Sequence, residues 1–416
     1  MQVDTSAMPE APVAVLLAGG RGSRLHELTE DLAKPAVAFG PRHRIVDFTL
    51  ENLRRSGLGQ VLVATQYCAG PLEDYLNRCW RPVFGTGLRL RRAAGRGMVG
   101  RSYEGTADAV WKNAAEIDAL SPREVVVLSA DHVYAMDYGP MIAAHRASGA
   151  AVTIAADVVP LAEARAFGCV EATAAGRILA FAEKPRTPPA MAGDPGRTLV
   201  SMGIYVFDWA WLRERLRRDA ADRTSAHDFG HDILPGAVAQ GEAQVFRSEG
   251  PGGRPFYWRD VGTLDAFRET WLAFEAGPPC PVPESAGLGL RARGVTDPRV
   301  AAALRQADAA LDDEGSVVPL AGRRAERAEL VASVVMPGAR LAEGCRLRRV
   351  ILAPGVRLTE GMVIGHDPQE DARWFRVTPG GTTLVTPQML ARRAMMMPGQ
   401  LPLAPRPPMA QEPATC

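Results

Sequence analysis

Near the N-terminus, Gly19-Gly20-Arg21-Gly22-Ser23-Arg24-Leu25 is followed, after eight residues, by Lys34-Pro35. Glycines remove side chains where a chain must turn and let backbone N–H groups come close to phosphate oxygens. Arg21, Arg24 and Lys34 add fixed positive charge around that turn. The pattern reads as a polyphosphate-binding loop. It is not a Rossmann fingerprint, because Leu25 stands where the third glycine belongs. Nor is it a Walker A loop, because the chain contains no Gly-Lys pair. Further on, Ser129-Ala130-Asp131-His132 follows a valine-rich run, and Asp260 lies in Tyr257-Trp258-Arg259-Asp260-Val261-Gly262-Thr263. A carboxylate at the C-terminal edge of a parallel strand sits where α/β sheets bind ligands. Taken alone, Asp131 could equally be a helix cap or a turn residue. After a phosphate loop and before a second acidic segment, Asp131 reads better as a magnesium ligand, with Asp260 its partner. Glu183-Lys184-Pro185 places an acceptor for hydroxyls beside a cation for phosphate, although an exposed hairpin edge could carry the same pair.

The composition narrows the setting. A net charge of +1 over 416 residues gives no footprint for nucleic acid or an anionic membrane surface. No run is long and apolar enough to span a bilayer, and the first twelve residues lack the apolar core of a signal peptide. Six cysteines lie far apart with no C-x-x-C pair, which suits reduced thiols in the cytoplasm and argues against zinc or a disulfide framework. Of 48 basic residues only Lys34, Lys112 and Lys184 are lysine. In so arginine-rich a chain, a surviving lysine marks a place where a compact ammonium is needed and a planar fork will not fit; chance survival is the competing reading.

The elements that must position these groups follow from apolar patterning. Val13–Leu17, Val61–Thr65, Glu124–Leu128 and Ala151–Val158 read as strands, with helices over Pro71–Trp80 and from Gly105-Thr106 to about Leu120. This alternation predicts an α/β domain with a mainly parallel sheet. Arg177–Glu183 reads as the hairpin partner of the segment after Phe167, Ser201–Phe207 as a strand, and Leu264–Glu275 as a helix. Phe84–Arg101 shows no period and reads as a mobile loop whose arginines mostly meet solvent. His227 reads as structural. Between Val335 and Ile364, Gly338 and Gly344, then Gly355 and Gly361, recur six residues apart, a hexapeptide β-helix rhythm of about two coils. The expected organisation is a tail over 1–12, a catalytic domain over 13–276, a linker and irregular segment over 277–330, a short left-handed parallel β-helix over 331–390, and a disordered tail over 391–416.

The loop ending in Lys-Pro resembles the signature of the sugar-phosphate nucleotidyltransferases. Tyr-Trp-Arg-Asp-Val-Gly-Thr narrows the resemblance to the ADP-glucose pyrophosphorylases. It runs from about Val13 to Phe274 and from about Ser333 to Leu390. The resemblance implies a Rossmann-like nucleotidyltransferase domain that joins ATP to α-D-glucose 1-phosphate with Mg²⁺. It implies nucleotide contacts at Gly19, Gly20, Arg21, Gly22, Arg24, Lys34, Gly105 and Thr106, and sugar-phosphate contacts at Tyr103, Gly168, Glu183, Lys184 and Ser201. Arg24, Lys34 and Asp131 would be catalytic, with metal on Asp131 and Asp260. Glu104 departs from the Arg or Gln usual in the family, and Ala130 from its glycine.

Within the same resemblance, a homotetramer responding to a sugar-phosphate effector is implied, with Arg44 a candidate effector contact. The acidic run Thr29-Glu30-Asp31-Leu32 and the short β-helix point to weak or altered activation. The alternatives are a pyrophosphorylase for another nucleotide sugar, such as the UDP-glucose type, or a non-catalytic regulatory subunit. The second conflicts with the retained Arg24, Lys34, Asp131, Lys184 and Asp260.

Overall fold

The computed structural model describes residues 11–40, 42–93, 102–247, 256–283 and 328–396. The described residues fall into two compact units: the first holds those up to Gly262 together with 278–283, the second Thr263–Gly277 and 328–396.

The first unit is built on a nine-stranded sheet. Val13–Ala18, Val61–Thr65 and Glu124–Ser129 are all but buried along their whole length, as continuous apolar runs require when helices cover both faces of a sheet. Val13–Ala18 lies between the other two in parallel, with Ala18 opposite Thr65 and Leu17 opposite Ser129. Because the strands run together, Gly19, Gln66 and Asp131 leave the sheet at one edge. Arg197–Asp208 lies antiparallel to Glu124–Ser129 and, on its other side, to Val152–Pro160, where the register shifts between Ser201 and Tyr205, around Gly203 in the left-handed region (φ 68°). That irregularity brings Gly203 and Tyr205 to the same edge. A separate two-stranded ribbon pairs His132–Tyr134 with Trp258–Asp260, setting Asp260 opposite His132.

Two local readings are corrected. Leu88–Arg92, expected to be part of a mobile loop, is a strand pairing in parallel with Val61–Thr65. Its arginines do not simply face solvent: Arg91 pairs with Glu116, Arg92 with Glu73, and Arg89 donates to Gln60 Oε1 at 2.6 Å. The remainder of that stretch, 94–101, lies outside the described residues. The helix from Thr106 stops at Trp111 and a second helix runs Ala114–Asp118. At the break, Asn113 turns its amide back onto the Ala109 carbonyl (2.7 Å) and the Tyr103 hydroxyl (2.9 Å), competing with helix continuation.

In the second unit, strands pair in parallel with strands 17 residues further on: Glu329 with Arg346, Val334 with Ile351, Arg340 with Arg357. Three short sheets result, parallel except where Arg376–Val377 runs antiparallel to Thr383–Val385, the arrangement of a left-handed β-helix, and Gly338, Gly344, Gly355 and Gly361 turn its corners at positive φ. The helix Leu264–Ala276 is bonded into this unit. Its buried Arg268 donates to Thr382 Oγ1 (2.9 Å) and the Ala332 carbonyl (3.3 Å), and Asp265 accepts from Thr378 and Thr382. A further helix, Pro387–Met396, extends into the expected tail. The rest of that tail, the N-terminal residues 1–10 and the irregular segment 284–327 lie outside the described residues.

One buried carboxylate ties down the helix that follows the phosphate loop. Asp47, on Ile45–Arg55, is fully buried and accepts from Tyr75 Oη (2.6 Å), Trp80 Nε1 (2.7 Å) and the Arg44 amide (2.7 Å). Burial outweighs these donors and lifts it from an ordinary 3.8 to about 6. In that interval the folded protein holds a proton the unfolded chain would release, so this group's contribution to stability declines as pH rises from 3.8 to about 6 and is level above it. Asp47→Asn sets an amide N–H₂ against existing donors and should cost about 1–3 kcal/mol. In denaturant titrations across this window the deficit of Asp47→Asn narrows as pH rises; a deficit that widens would contradict the assignment.

Candidate active site

A cavity of about 510 Å³ opens at the shared strand edge, lined among others by Gly19, Gly20, Gln66, Tyr103, Gly105, Thr106, Asp131, Glu183, Lys184, Gly203, Tyr205 and Asp228. At its phosphate-loop end, three charges from distant parts of the chain meet. Lys34 Nζ is 3.0 Å from Asp131 Oδ2 and 2.8 Å from Asp260 Oδ1, and only 3% of the lysine side chain is exposed. Arg24, largely in solvent, reaches Asp260 Oδ2 at 3.4 Å. Burial works to lower the pKa of Lys34, but the charges of Asp131 and Asp260 outweigh burial and raise it. Burial likewise works to raise both carboxyls; Lys34, followed by His132, overrides it and holds each below the usual carboxylate range. All three groups therefore stay ionised at neutral pH.

Local sequence explains the placement of Lys34. Gly22 takes a left-handed conformation (φ 66°), where a side chain is strained, and a Cβ there would lie 2.6 Å from Lys34 Cβ. The lysine stem thus packs directly on loop backbone. Thr29 Oγ1 donates to the Gly22 carbonyl (2.9 Å) and closes the loop. Arg21 lies over the Tyr67 ring at 5.4 Å.

The other end is held by a clasp between Gly105-Thr106 and the segment before Phe229. A Cβ on Gly105 would strike the His227 carbonyl and lie 2.5 Å from that of Ala226. The Ala107 amide donates to the His227 carbonyl (2.8 Å), Thr106 Oγ1 donates to Asp228 Oδ2 (2.9 Å), and the Phe229 amide donates to Thr106 Oγ1 (3.0 Å). Thr106 is a bridge here rather than a helix cap; the cap position is Gly105. His227 is structural, its Nδ1 2.8 Å from Asp219. Gln66 grips Tyr103 through both its amide (2.7 Å) and its carbonyl (3.3 Å).

Glu183 and Lys184 form an ion pair at the cavity wall, and Gly168 leaves room for the Phe181 ring and the Glu183 carboxylate. Ser201 lies one step behind the wall, bonded to the Tyr205 hydroxyl (3.2 Å). Ala130 is buried in the core, so its methyl group does not crowd the cavity, whereas Glu104 is exposed on the rim. Arg44 is elsewhere, donating to the Ala36 carbonyl with its guanidinium 4.6 Å over the Tyr75 ring. The sequence reading missed Gln66, His132, Tyr205 and Asp228. Only His132, adjacent to Asp131, carried a local signal.

Comparison with known proteins agrees with this geometry. The family model described as nucleotidyl transferase matches residues 13–276, and a GlmU-like C-terminal hexapeptide model matches 309–385. A glucose-1-phosphate adenylyltransferase of Jannaschia sp. is 38% identical, covering 94% of this chain and 99% of the relative. Proteins of the same name from Cereibacter sphaeroides and Granulibacter bethesdensis are each 40% identical, covering 92% and 93% of this chain and 96% and 99% of their own lengths.

Lys34→Arg tests whether charge alone suffices. A planar fork cannot occupy the narrow space between Asp131, Asp260 and the Gly22 backbone, so turnover should fall at least ~100-fold although the charge is kept. Near-normal turnover would show that the site asks only for a cation.

Proposed function

Because the chain belongs to the glucose-1-phosphate adenylyltransferases, we propose that this cavity joins ATP to α-D-glucose 1-phosphate, forming ADP-glucose, the glucosyl donor for glycogen synthesis, and pyrophosphate. The observation that carries the site assignment is the Lys34 ammonium held between Asp131 and Asp260 beside the glycine turn. A phosphate oxygen of the sugar attacks the α-phosphorus in line. The new P–O bond forms as the bond from the α-phosphorus to the bridging oxygen breaks, and pyrophosphate carries the electron pair away. The nucleophile is already anionic, so no general base is needed; the site must position two polyanions and neutralise charge.

The backbone of Gly19, Gly20 and Gly22, with Arg21 and Arg24, receives the polyphosphate, and Lys34 stabilises charge on the α-phosphate and the departing group. Gly105 and Thr106 border the nucleotide. Lys184 takes the sugar phosphate and Glu183 the hydroxyls, with Tyr103 and Gly168 shaping that end and Ser201 acting through Tyr205. The charged lining includes Glu104, Asp131, Glu183 and Asp228 against Lys184, so bound polyanions require added cations. Asp131 and Asp260 offer converging oxygens suited to Mg²⁺ and would hold it. When bound, Mg²⁺ would supply charge neutralisation on phosphate oxygens.

The acidic run Thr29-Glu30-Asp31-Leu32 and the short β-helix support a weak or altered response to a sugar-phosphate effector, with Arg44 its candidate contact. We further propose a cytoplasmic homotetramer. Among the described residues, no helix is long and apolar enough to cross a membrane.

The test is pyrophosphate release with Mg²⁺, glucose 1-phosphate and either ATP or UTP. ATP should be preferred; preference for UTP would redirect the reading to another nucleotide sugar. Asp131→Asn should lower turnover by at least ~100-fold with unchanged circular dichroism, and a near-wild-type rate would remove Asp131 from the site.

A further inference from the structure

His132 stands beside the two carboxylates with no part in the reaction above. It lies opposite Asp260 in the ribbon, its Nε2 3.6 Å from Asp131 Oδ1 and 4.0 Å from Asp260 Oδ1. One ligand atom from each of these three residues lies within 4.8 Å of the others, a spacing that invites a third metal ligand.

The other ring nitrogen argues against it. Trp258 Nε1, which can only donate, is hydrogen-bonded to His132 Nδ1 at 3.4 Å. Trp258 is buried, with the His132 ring edge-on to it at 5.3 Å and Phe167 at 5.3 Å, so its donor is held in place. A nitrogen that accepts carries no hydrogen. The single proton of the neutral imidazole is then on Nε2, aimed at the carboxylates. A metal ligand needs the reverse: a bare nitrogen toward the ion and an N–H toward an outer acceptor. The Asp131 carboxylate shows what the inverted ring does. Its Oδ1 accepts from Ser129 Oγ and faces His132 Nε2, leaving Oδ2 for Lys34.

We propose that His132 is a positioning residue and not a metal ligand: Trp258 fixes it as the Nε2–H tautomer, and that N–H, 3.6 Å from Oδ1, acts with the Ser129 hydroxyl to hold Asp131 with Oδ1 toward the ring and Oδ2 toward Lys34. The role rests on reading Asp131 and Asp260 as the metal-holding pair; the tautomer does not.

The direct readout is the ring tautomer in metal-free protein carrying ¹⁵N-labelled histidine, at a pH where the ring is neutral, with the His132 signals assigned by their loss in His132→Gln. The wild type should carry its proton on Nε2, and Trp258→Phe should shift the ring toward the Nδ1–H form. A wild-type ring protonated on Nδ1 overturns the proposal, and an unchanged ring in Trp258→Phe overturns the part given to Trp258. Kinetics separate positioning from ligation. His132→Gln, whose amide N–H reaches the same region, should stay within about threefold of wild-type kcat, whereas His132→Leu should lose roughly 10- to 100-fold with Mg²⁺ half-saturation moved less than about threefold. An unimpaired His132→Leu enzyme, or equal loss in both variants with a Mg²⁺ requirement raised more than about tenfold, overturns the positioning role. Turnover independent of Mg²⁺ would strike the metal reading alone, since the tautomer of the metal-free protein decides the state of His132 by itself.

Discussion

An ammonium buried between two carboxylates is the constraint on which the catalytic unit turns. Burial works against the charged form of Lys34, Asp131 and Asp260 alike, and their mutual attraction outweighs it. Together they stay charged, and keeping them together obliges three separate pieces of chain to meet. The glycine turn must fold tightly enough to pack on the lysine stem. The strand Glu124–Ser129 must end where the loop begins, and the ribbon Trp258–Asp260 must bring the second carboxylate from far along the sequence. The parallel central strands meet that demand, since strands running the same way release their following loops at one edge.

The arrangement also sets an electrostatic tension that suits phosphoryl chemistry. The cavity wall is richer in carboxylates than in cations, yet the chemistry assigned to it brings two polyanions together. A site of this kind is not preloaded with positive charge. The proposed reaction would need cations to enter along with the substrates, since Lys34 is already shared between Asp131 and Asp260. Repulsion between reactants is then overcome by groups whose orientation is set before they arrive. The clasp of Gly105 and Thr106 on the His227–Phe229 segment holds the far wall by backbone bonds to the His227 carbonyl and by two bonds through the Thr106 hydroxyl.

The second unit solves a different problem. Its short coils bury an apolar interior that includes Leu347, Val350, Ile351, Leu352 and Val356. The helix Leu264–Ala276 adds a buried arginine and an aspartate that take up hydroxyls and carbonyls of the coils.

What the sequence by itself determined was local. A strand covered on both faces has no polar side, so Val13–Leu17 and Val61–Thr65 are legible as apolar runs. A coil corner recurs once per face, so the hexapeptide rhythm is legible too, and so is the glycine turn with its arginines. Leu88–Arg92 escaped because an edge strand pairs on one side only, and its arginines are satisfied by Glu73 and Glu116, which the run itself does not contain. The break at Asn113 escaped because it depends on a side chain competing with its own helix. Only the tertiary structure decided which oxygen faces which nitrogen: Lys34 meets Asp260 across 226 residues, and His132 meets Trp258 across 126. Residue types name the charges a site can use, but direction and protonation are set by neighbours that only folding brings within hydrogen-bond reach.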